Sequence, residues 1–216
     1  MQNFINIHFN SVDLGKAMIK LQETGMLYFL YSESLVSVLV CHNIKEGEFV
    51  LQVPFNPPIQ KMEDYTTSVC LDLVKKSVFS AKLRDDIGSK NIDIQIKNVN
   101  KWTMEGLIAN SFVDDIEEPR VFLAGDSAHA FPPSGGFGLN TGIGDANNLA
   151  HKIAWAINNE DESRLPQYNQ ERRLIGSLTK DFAIANYNKG VQIAKMLNLN
   201  KSNLDTATTA INTLLP

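Results

Sequence analysis

The sequence predicts an α+β fold, in which an antiparallel sheet with flanking helices is followed by a strand, a loop and further helices. Two observations support this fold class. Residues 1–110 contain several apolar runs with β-type alternation, joined by short polar links of the kind found in hairpins. Residues 141–157 instead repeat apolar side chains at helical spacing and predict the clearest helix of the chain.

Composition is typical of globular proteins and excludes several other classes. The 216 residues are 44% hydrophobic and 20% charged, which excludes disorder, collagen and coiled coil as descriptions of the whole chain. The net charge of −4, without a basic block, predicts no nucleic-acid partner. Apolar runs fall short of the ~20 residues of a membrane-spanning helix, and the first residues do not resemble a signal or transit peptide. We therefore expect a soluble, intracellular protein, in a compartment that the sequence does not specify.

The two cysteines, Cys41 and Cys70, lie far apart and outside any CxxC or Cys/His cluster. We expect each to be a small buried hydrophobic side chain in a reducing compartment rather than half of a disulfide or a metal ligand. No metal site is predicted.

The predicted elements of the sheet follow from alternation and from turn residues. Ile5, Ile7 and Phe9 share one face of a first strand, and Asp13 is expected to cap a helix over residues 14–23. Three antiparallel strands are predicted next, and Pro54 is expected to end the last of them: residues 26–31, 35–41 and 48–53.

The later elements are predicted in the same way. A helix is expected over residues 64–79, a strand beginning at Ile92, and an extended segment from Trp102 toward Phe112. A short apolar run predicts a buried strand over residues 121–124. Helices follow, with Pro166 in the first turn of the last one and a break near residues 188–190. The predicted division is a sheet domain over residues 1–105, a strand–loop–helix segment over 106–160 and C-terminal helices over 161–216.

A glycine-rich loop lies between the predicted buried strand and the clearest helix. Five glycines fall within ten residues: Gly135, Gly136, Gly138, Gly142 and Gly144. Glycine costs backbone entropy, so this density indicates a backbone that approaches a ligand closely. The amides at the helix start suit a phosphate, an oxyanion or an electron-rich heterocycle. Asp126, at the strand end, is placed to accept hydrogen bonds from sugar or polyol hydroxyls.

Three other motifs fit this segment poorly. A P-loop needs a lysine after its glycines, and none follows here. A Rossmann GxGxxG fingerprint fails because Gly136 and Gly138 are not followed by the third glycine. A nucleophile elbow centred on Ser127 needs a small residue where His129 stands and an immediate helix where Pro132 stands, so a hydrolase is disfavoured.

The segment over residues 125–152 resembles the second flavin-binding motif of FAD-dependent aromatic hydroxylases, the flavoprotein monooxygenases similar to para-hydroxybenzoate hydroxylase and phenol hydroxylase. The match has no gaps and comprises Gly125-Asp126, Ala128-His129, Pro132-Pro133, Gly135-Gly136, Gly138 to Gly142, Asp145-Ala146, Asn148 to Ala150 and Lys152. Outside it, residues 102–104 resemble the family's return from its substrate sheet. Tyr168 and residues 171–173 resemble the start of its long C-terminal helix, although Leu174 stands where many members have proline.

The resemblance implies FAD as cofactor, NADH or NADPH as co-substrate, and hydroxylation of an aromatic or related ring with O2. In this family the Asp of the Gly-Asp pair bonds the ribityl chain, which here is Asp126. The amides of Leu139 and Asn140 would face the pyrimidine edge of the flavin ring. Cofactor contacts are thus expected at Gly125, Asp126, Pro133, Gly135, Gly136, Gly138, Leu139 and Asn140, whereas no catalytic residue is assigned.

The resemblance also makes the sheet the substrate domain. Candidate substrate-facing residues are Tyr28, Leu30, Val38, Phe49, Leu51 and Trp102. Because an alternating strand buries one face in any case, a plain core role is at least as well supported for the strand residues. We favour a core role for Trp102 and for His129, and surface or interdomain ion pairs for Glu171, Arg172 and Arg173.

Members of this family begin with a Rossmann unit that binds the ADP half of FAD, and this sequence lacks one. The resemblance covers nearly all of the chain but only about the C-terminal half of a typical member. We expect a piece of a longer or split enzyme, whose partner is the missing N-terminal FAD-binding half. The alternative is a non-catalytic remnant that binds a partner through the surface the Rossmann unit would cover.

Overall fold

The computed structural model describes residues 2–31, 35–78 and 92–196. The chain divides into two compact units, which we call the sheet unit (residues 2–103) and the helix unit (residues 104–192). The predicted division at residues 105 and 160 stays a prediction.

A five-stranded sheet forms the sheet unit, with strand order β2-β3-β4-β1-β5. Its strands are β1 (Gln2–Asn10), β2 (Leu27–Tyr31), β3 (Val36–Asn43), β4 (Glu48–Phe55) and β5 (Gln95–Met104). β2 pairs with β3, β3 with β4 and β4 with β1, all antiparallel. The antiparallel arrangement predicted from the short links is confirmed.

One face of this sheet is covered by two helices, α1 (Val12–Lys20) and α2 (Thr67–Val78). Alternation along β1 turns Ile5, Ile7 and Phe9 to that face, where all three are fully buried. The same core takes in apolar residues of both helices: Leu14, Met18, Val69, Cys70, Leu73, Val74 and Val78. Cys41 and Cys70 are both buried and free, as predicted.

Local details of the sheet unit differ from prediction. α1 is capped by Ser11, whose Oγ accepts from the Leu14 amide at 3.3 Å, and Asp13 lies inside the first turn. Pro54 does not end β4, which continues to Phe55. The pairing of β4 with β3 reaches only Gln52, so the N–H that Pro54 lacks is not needed for pairing with β3. β5 starts at Gln95, after Ile92.

The helix unit contains two long helices, α3 (Phe137–Asn159) and α4 (Gln167–Met196). A short hairpin of β6 (Leu107–Ile108) and β7 (His129–Ala130) precedes them. The core of the helix unit contains Phe112, Val113, Ala128 and Tyr168. No helix within the described residues is both long and apolar enough to cross a membrane.

Three predictions in the helix unit are wrong. The run over residues 121–124 is not a buried strand, because its one bridge among the described residues joins Phe122 to Val113, and Val121 is exposed. α3 begins at Phe137, four residues earlier than predicted. α4 continues through Gly190 without a break, since one interior glycine costs about 1 kcal/mol, which the rest of a 30-residue helix can offset.

The apolar face of α3 is exposed within this chain. Ile143 is 59% and Ile157 73% exposed, whereas the buried residues of the helix are Thr141, Asp145 and Lys152. The periodicity therefore predicted the helix correctly, but in this chain it is the polar side of the helix that is buried.

We predict that Phe49→Ala lowers the free energy of unfolding by about 3–5 kcal/mol, because the ring is fully buried and stacks on Phe9 at 5.5 Å. Urea denaturation of the 216-residue chain measures the loss. The matched control is Phe29→Ala, at a ring that is 58% exposed, for which we expect less than about 1 kcal/mol. Equal losses for the two variants would contradict the assignment of the core face.

Candidate functional site

A sharp turn over Gly125–Ser127 presents the exposed side chain of Asp126. Gly125 has φ +59°, a left-handed conformation that glycine adopts without steric cost. Ser127 Oγ donates to the Ala124 carbonyl at 2.8 Å and accepts from the Ala124 amide at 3.1 Å. The Ser127 hydroxyl therefore stabilises the turn, and this arrangement gives the hydrolase alternative no support.

The start of α3 leaves backbone amides without partners in the helix. Its N-cap is Gly136, at φ +67°, which has no side chain to accept from them. Helix geometry gives Asn140 the first amide with a carbonyl four residues back, that of Gly136, so the free amides are those of Phe137, Gly138 and Leu139. Because α3 begins at Phe137 rather than at Thr141, the free amides include that of Leu139 but not that of Asn140. The Leu139 side chain is 78% exposed.

Two hydrogen bonds and the conformation of one glycine shape the loop that leads into α3. The Pro133 carbonyl accepts from the Gly136 amide at 3.0 Å and closes a turn. Gly135 has φ +123°, and a Cβ there would collide with the Phe137 ring. The Asn140 side-chain amide donates to the Gly136 carbonyl at 3.1 Å. Gly136 is thus bonded both to the loop, at Pro133, and to the first turn of α3, at Asn140.

The glycines of this segment have two different spatial roles. Gly125 and Gly142 permit close packing, because a Cβ on Gly142 would lie 3.2 Å from the Gly125 Cα. Gly136 and Gly138 instead border open space, since a Cβ on either meets no atom within 4 Å. The left-handed φ of +67° already favours glycine at Gly136. Neither packing nor a positive φ requires glycine at Gly138, where a ligand lying against the backbone would require it.

A buried carboxylate lies directly behind the turn. Asp145, fully buried on α3, accepts from the Gly125 amide at 3.1 Å and lies 2.7 Å from His129 Nε2 through the same oxygen, Oδ2. Its other oxygen accepts from Arg172 Nε on α4 at 2.7 Å. Arg172 Nη2 also donates to the Thr141 carbonyl at 3.3 Å. We call Asp145, His129 and Arg172 the buried triad.

Sequence reasoning did not assign the buried triad as such. The predicted core role of His129 is confirmed, since the side chain is buried and stacks on Phe131 at 4.4 Å. Arg172 was expected in a surface or interdomain ion pair, but its partner Asp145 is fully buried, Arg172 itself is only 14% exposed, and both lie within the helix unit. The sequence signal that could have indicated the role of Asp145 is its place inside the most regular helix, three residues after Gly142 and four after Thr141.

A second, more exposed pair joins the same two helices. Lys152 Nζ on α3 donates to Glu171 Oε1 on α4 at 3.1 Å, and Asn148 Nδ2 donates to Glu171 Oε2 at 2.8 Å. The Asn148 hydrogen bond, followed by the Lys152 interaction, lowers the pKa of Glu171. Among the described residues, neither Lys152 nor Glu171 forms a hydrogen bond with the Gly125–Ser127 turn.

Burial raises the pKa of Tyr168 to about 12, and the charge of Asp145 adds to the effect while Arg172 opposes it. The Tyr168 hydroxyl donates to the Leu123 carbonyl at 2.7 Å, just before the turn.

Alternation divides the six candidate substrate residues between the faces of the sheet. Tyr28, Leu30, Phe49 and Leu51 lie on the helix-covered face, and Phe49 and Leu51 are fully buried in its core. Those two side chains therefore cannot contact a substrate unless the core opens. Val38 lies on the opposite face, and Trp102 stacks on Phe4 of that face at 5.2 Å.

We call the face of the sheet opposite α1 and α2 the open face. It also carries a polar cleft of about 370 Å³. The cleft is lined by Asn6, His8, His42, Glu48, Val50, Asn98 and Asn100. His8 Nε2 and Glu48 Oε1 lie 3.1 Å apart within it. The open face thus combines an aromatic part near Trp102 with a polar part near His8.

A family model described as an FAD binding domain matches residues 1–183 of the chain. The chain belongs to this FAD-binding domain family. Its curated relatives include the 4-methyl-5-nitrocatechol 5-monooxygenase of Burkholderia sp, which is 39% identical over 124 residues, 57% of this chain and 20% of the relative.

Solved structures of flavin enzymes share the fold. The rebeccamycin biosynthetic enzyme RebC with reduced flavin matches with a TM-score of 0.66 and 28% identity over 84% of this chain and 31% of that one. A ternary complex of aklavinone-11 hydroxylase with FAD and aklavinone matches with a TM-score of 0.70 at 23% identity, over 88% of this chain and 32% of that one. This chain thus spans about a fifth of the first curated relative and about a third of these structures.

We predict that the wild-type chain loses more stability between pH 10 and pH 12 than Tyr168→Phe does. The phenol has a raised pKa when folded, so its contribution is fully present below pH 10 and is lost as the pH rises through about 12. Below pH 10 the variant should be less stable by about 1 kcal/mol, the value of the lost hydrogen bond. Urea denaturation across this pH range measures both effects, and parallel pH curves would contradict the prediction.

Proposed function

We propose that this chain is part of an FAD-dependent monooxygenase that hydroxylates an aromatic or related ring. The observation that carries the proposal is an exposed carboxylate, Asp126, next to an uncapped helix start whose glycines border open space. The names of the relatives, monooxygenases and hydroxylases of ring compounds, support the reaction class.

The chemistry of this surface fits FAD. The Asp126 carboxylate accepts hydrogen bonds, which suits the hydroxyls of a ribityl chain and opposes a phosphate at the same point. The free amides of Gly138 and Leu139 donate, which suits the carbonyl oxygens at the pyrimidine edge of a flavin ring. The positive end of the α3 dipole favours the negative charge that this edge gains on reduction.

Bound FAD would supply the redox chemistry between NADH or NADPH, O2 and the ring substrate. The residues of this chain would bind and orient it. We assign contacts to Gly125 and Asp126 in the turn, to the backbone of the loop from Pro133 to Gly136, and to Gly138 and Leu139 at the helix start. No described residue is assigned a proton-transfer step.

We also propose that the open face of the sheet binds the ring substrate. The Phe4–Trp102 stack supplies an aromatic surface there, and Val38 lies on the same face two strands away. Trp102 Nε1 is buried and has no hydrogen-bond partner among the described residues. Because this nitrogen is buried, it is not assigned a substrate contact. Burial in the opposite core excludes Phe49 and Leu51 from the proposal.

We further propose that the exposed apolar face of α3, around Ile143 and Ile157, packs against the remaining FAD-binding part of a longer protein or of a partner chain. The exposure of these side chains supports this, as does the share of the relatives that the chain spans. The same face supports the alternative function, a partner-binding module without catalysis. Flavin absorbance of the purified natural full-length protein separates them: an enzyme is yellow and a module is colourless.

We predict that Asp126→Asn weakens FAD binding by the natural full-length protein about 10- to 100-fold, because hydrogen bonds to a charged group contribute about 1.5–3 kcal/mol. Flavin fluorescence titration of the apoprotein measures the dissociation constant. The matched control is Asp181→Asn on α4, another exposed carboxylate, which pairs with Lys180 and should leave FAD affinity unchanged. Full affinity in Asp126→Asn would show that the carboxylate does not bind the cofactor.

We predict that Gly138→Ala weakens FAD binding about tenfold without loss of stability. The added methyl meets no atom of the chain, so the helix accepts it, but it would occupy the space proposed for the ligand. The matched control is Gly190→Ala in α4, where a Cβ also meets nothing within 4 Å. Both variants should keep or raise the melting temperature, and equal FAD affinity in the two would contradict the proposed cradle.

A further inference from the structure

We propose that Asp145 is a positioning residue for the cofactor, which fixes the Gly125–Ser127 turn against α3 and so sets where Asp126 points. This inference rests on the proposed function, since it concerns how the assigned flavin contacts are held. Asp145 itself is fully buried and does not reach the surface that would contact FAD.

One carboxylate joins three separate elements of the helix unit. Oδ2 accepts from the Gly125 amide of the turn at 3.1 Å and bonds His129 Nε2 of β7 at 2.7 Å. Oδ1 accepts from Arg172 Nε of α4 at 2.7 Å. Both side chains in the His129–Asp145 contact are fully buried, so water does not compete for these bonds.

The bond to Gly125 acts directly on Asp126. Gly125 is in a left-handed conformation, and the direction of its amide fixes how the chain enters the next residue. Leu123, just before the turn, is held from outside by hydrogen bonds to Phe112 and Tyr168. Among the described residues, however, the hydrogen bond from the Gly125 amide to Asp145 is the one that joins the turn to α3. The other bonds within the turn are local, between Ser127 and Ala124 and from the Ala128 amide to the Gly125 carbonyl. The orientation of the turn relative to α3 therefore depends on Asp145.

The partner of Asp145 holds the other proposed flavin contact. Arg172 bonds Asp145 and also donates to the carbonyl of Thr141, in the second turn of α3. The turn and the helix start are thus fixed by the same ion pair. Gly142 completes the arrangement, because its Cα region packs against Gly125. The distance between the Asp126 carboxylate and the free amides of α3 is set by this unit.

The other ring nitrogen of His129 is consistent with this role. Nδ1 is buried and has no hydrogen-bond partner among the described residues. The hydrogen bonding of the ring is therefore directed to Asp145, and stacking on Phe131 holds its plane. His129 supports the carboxylate and does not reach the surface that would bind the cofactor.

A different reading is that Asp145 and Arg172 only hold α3 and α4 together. The Lys152–Glu171 pair provides the matched comparison, because it joins the same two helices at 3.1 Å and does not contact the turn. If the role is purely structural, breaking either pair should weaken FAD binding to a similar extent when the two variants lose equal stability. A positioning role predicts that flavin binding responds to Asp145 alone.

The test compares Asp145→Asn with Glu171→Gln in the natural full-length protein. Melting temperature, FAD dissociation constant and the visible absorption and circular dichroism of bound flavin are measured for each. We expect Asp145→Asn to weaken FAD binding at least tenfold and to change the visible dichroism. We expect Glu171→Gln to stay within about threefold of wild type with an unchanged spectrum, whatever its melting temperature.

Arg172→Lys keeps the test available if Asp145→Asn does not fold. Lysine retains a cation beside Asp145 but lacks the second bond to the Thr141 carbonyl. We expect intermediate weakening, about three- to tenfold, with the same direction of spectral change. Wild-type affinity and spectrum in Arg172→Lys would overturn the inference.

The outcomes separate this inference from the proposed function. A wild-type protein that binds no FAD overturns the proposed function and, with it, this inference. A wild type that binds FAD and an Asp145→Asn variant with the same affinity and spectrum overturn the inference alone. Equal weakening in Asp145→Asn and Glu171→Gln also overturns it, because a structural connection between the helices then explains the loss.

Discussion

The helix unit depends on the buried carboxylate of Asp145. A charged group with no exposure is unfavourable unless its oxygens are bonded, and here an amide, an imidazole and a guanidinium surround it. The requirement to satisfy that charge draws the turn at Gly125, β7 and α4 to one point on α3. The surface proposed to bind FAD is the outer side of this arrangement.

The need to bury Asp145 also explains the orientation of α3. Its polar face lies inside the chain, while Ile143 and Ile157 remain exposed. An amphipathic helix usually buries its apolar stripe, and this exposure is the reason we propose a second surface against the apolar side.

The sheet unit separates its two faces by simple alternation. Side chains such as Phe49 and Leu51 close one face against α1 and α2. The open face carries the Phe4–Trp102 stack and the polar cleft around His8. The packed core supports the shape of the opposite face, on which we propose that the ring substrate binds.

The sequence by itself determined the α+β class, most of the strands and helices, the glycine-rich loop, the core role of His129 and the family. These features are local, because periodicity, turn residues and an ungapped motif act within a few positions. Tertiary structure alone decided which face of α3 is buried, that residues 121–124 form no strand, and which candidate residues lie on the open face. It also decided the partners of Asp145, which lie 20, 16 and 27 residues away at Gly125, His129 and Arg172. Such pairs form only when the elements pack, since no local pattern specifies which distant donor a buried carboxylate will meet.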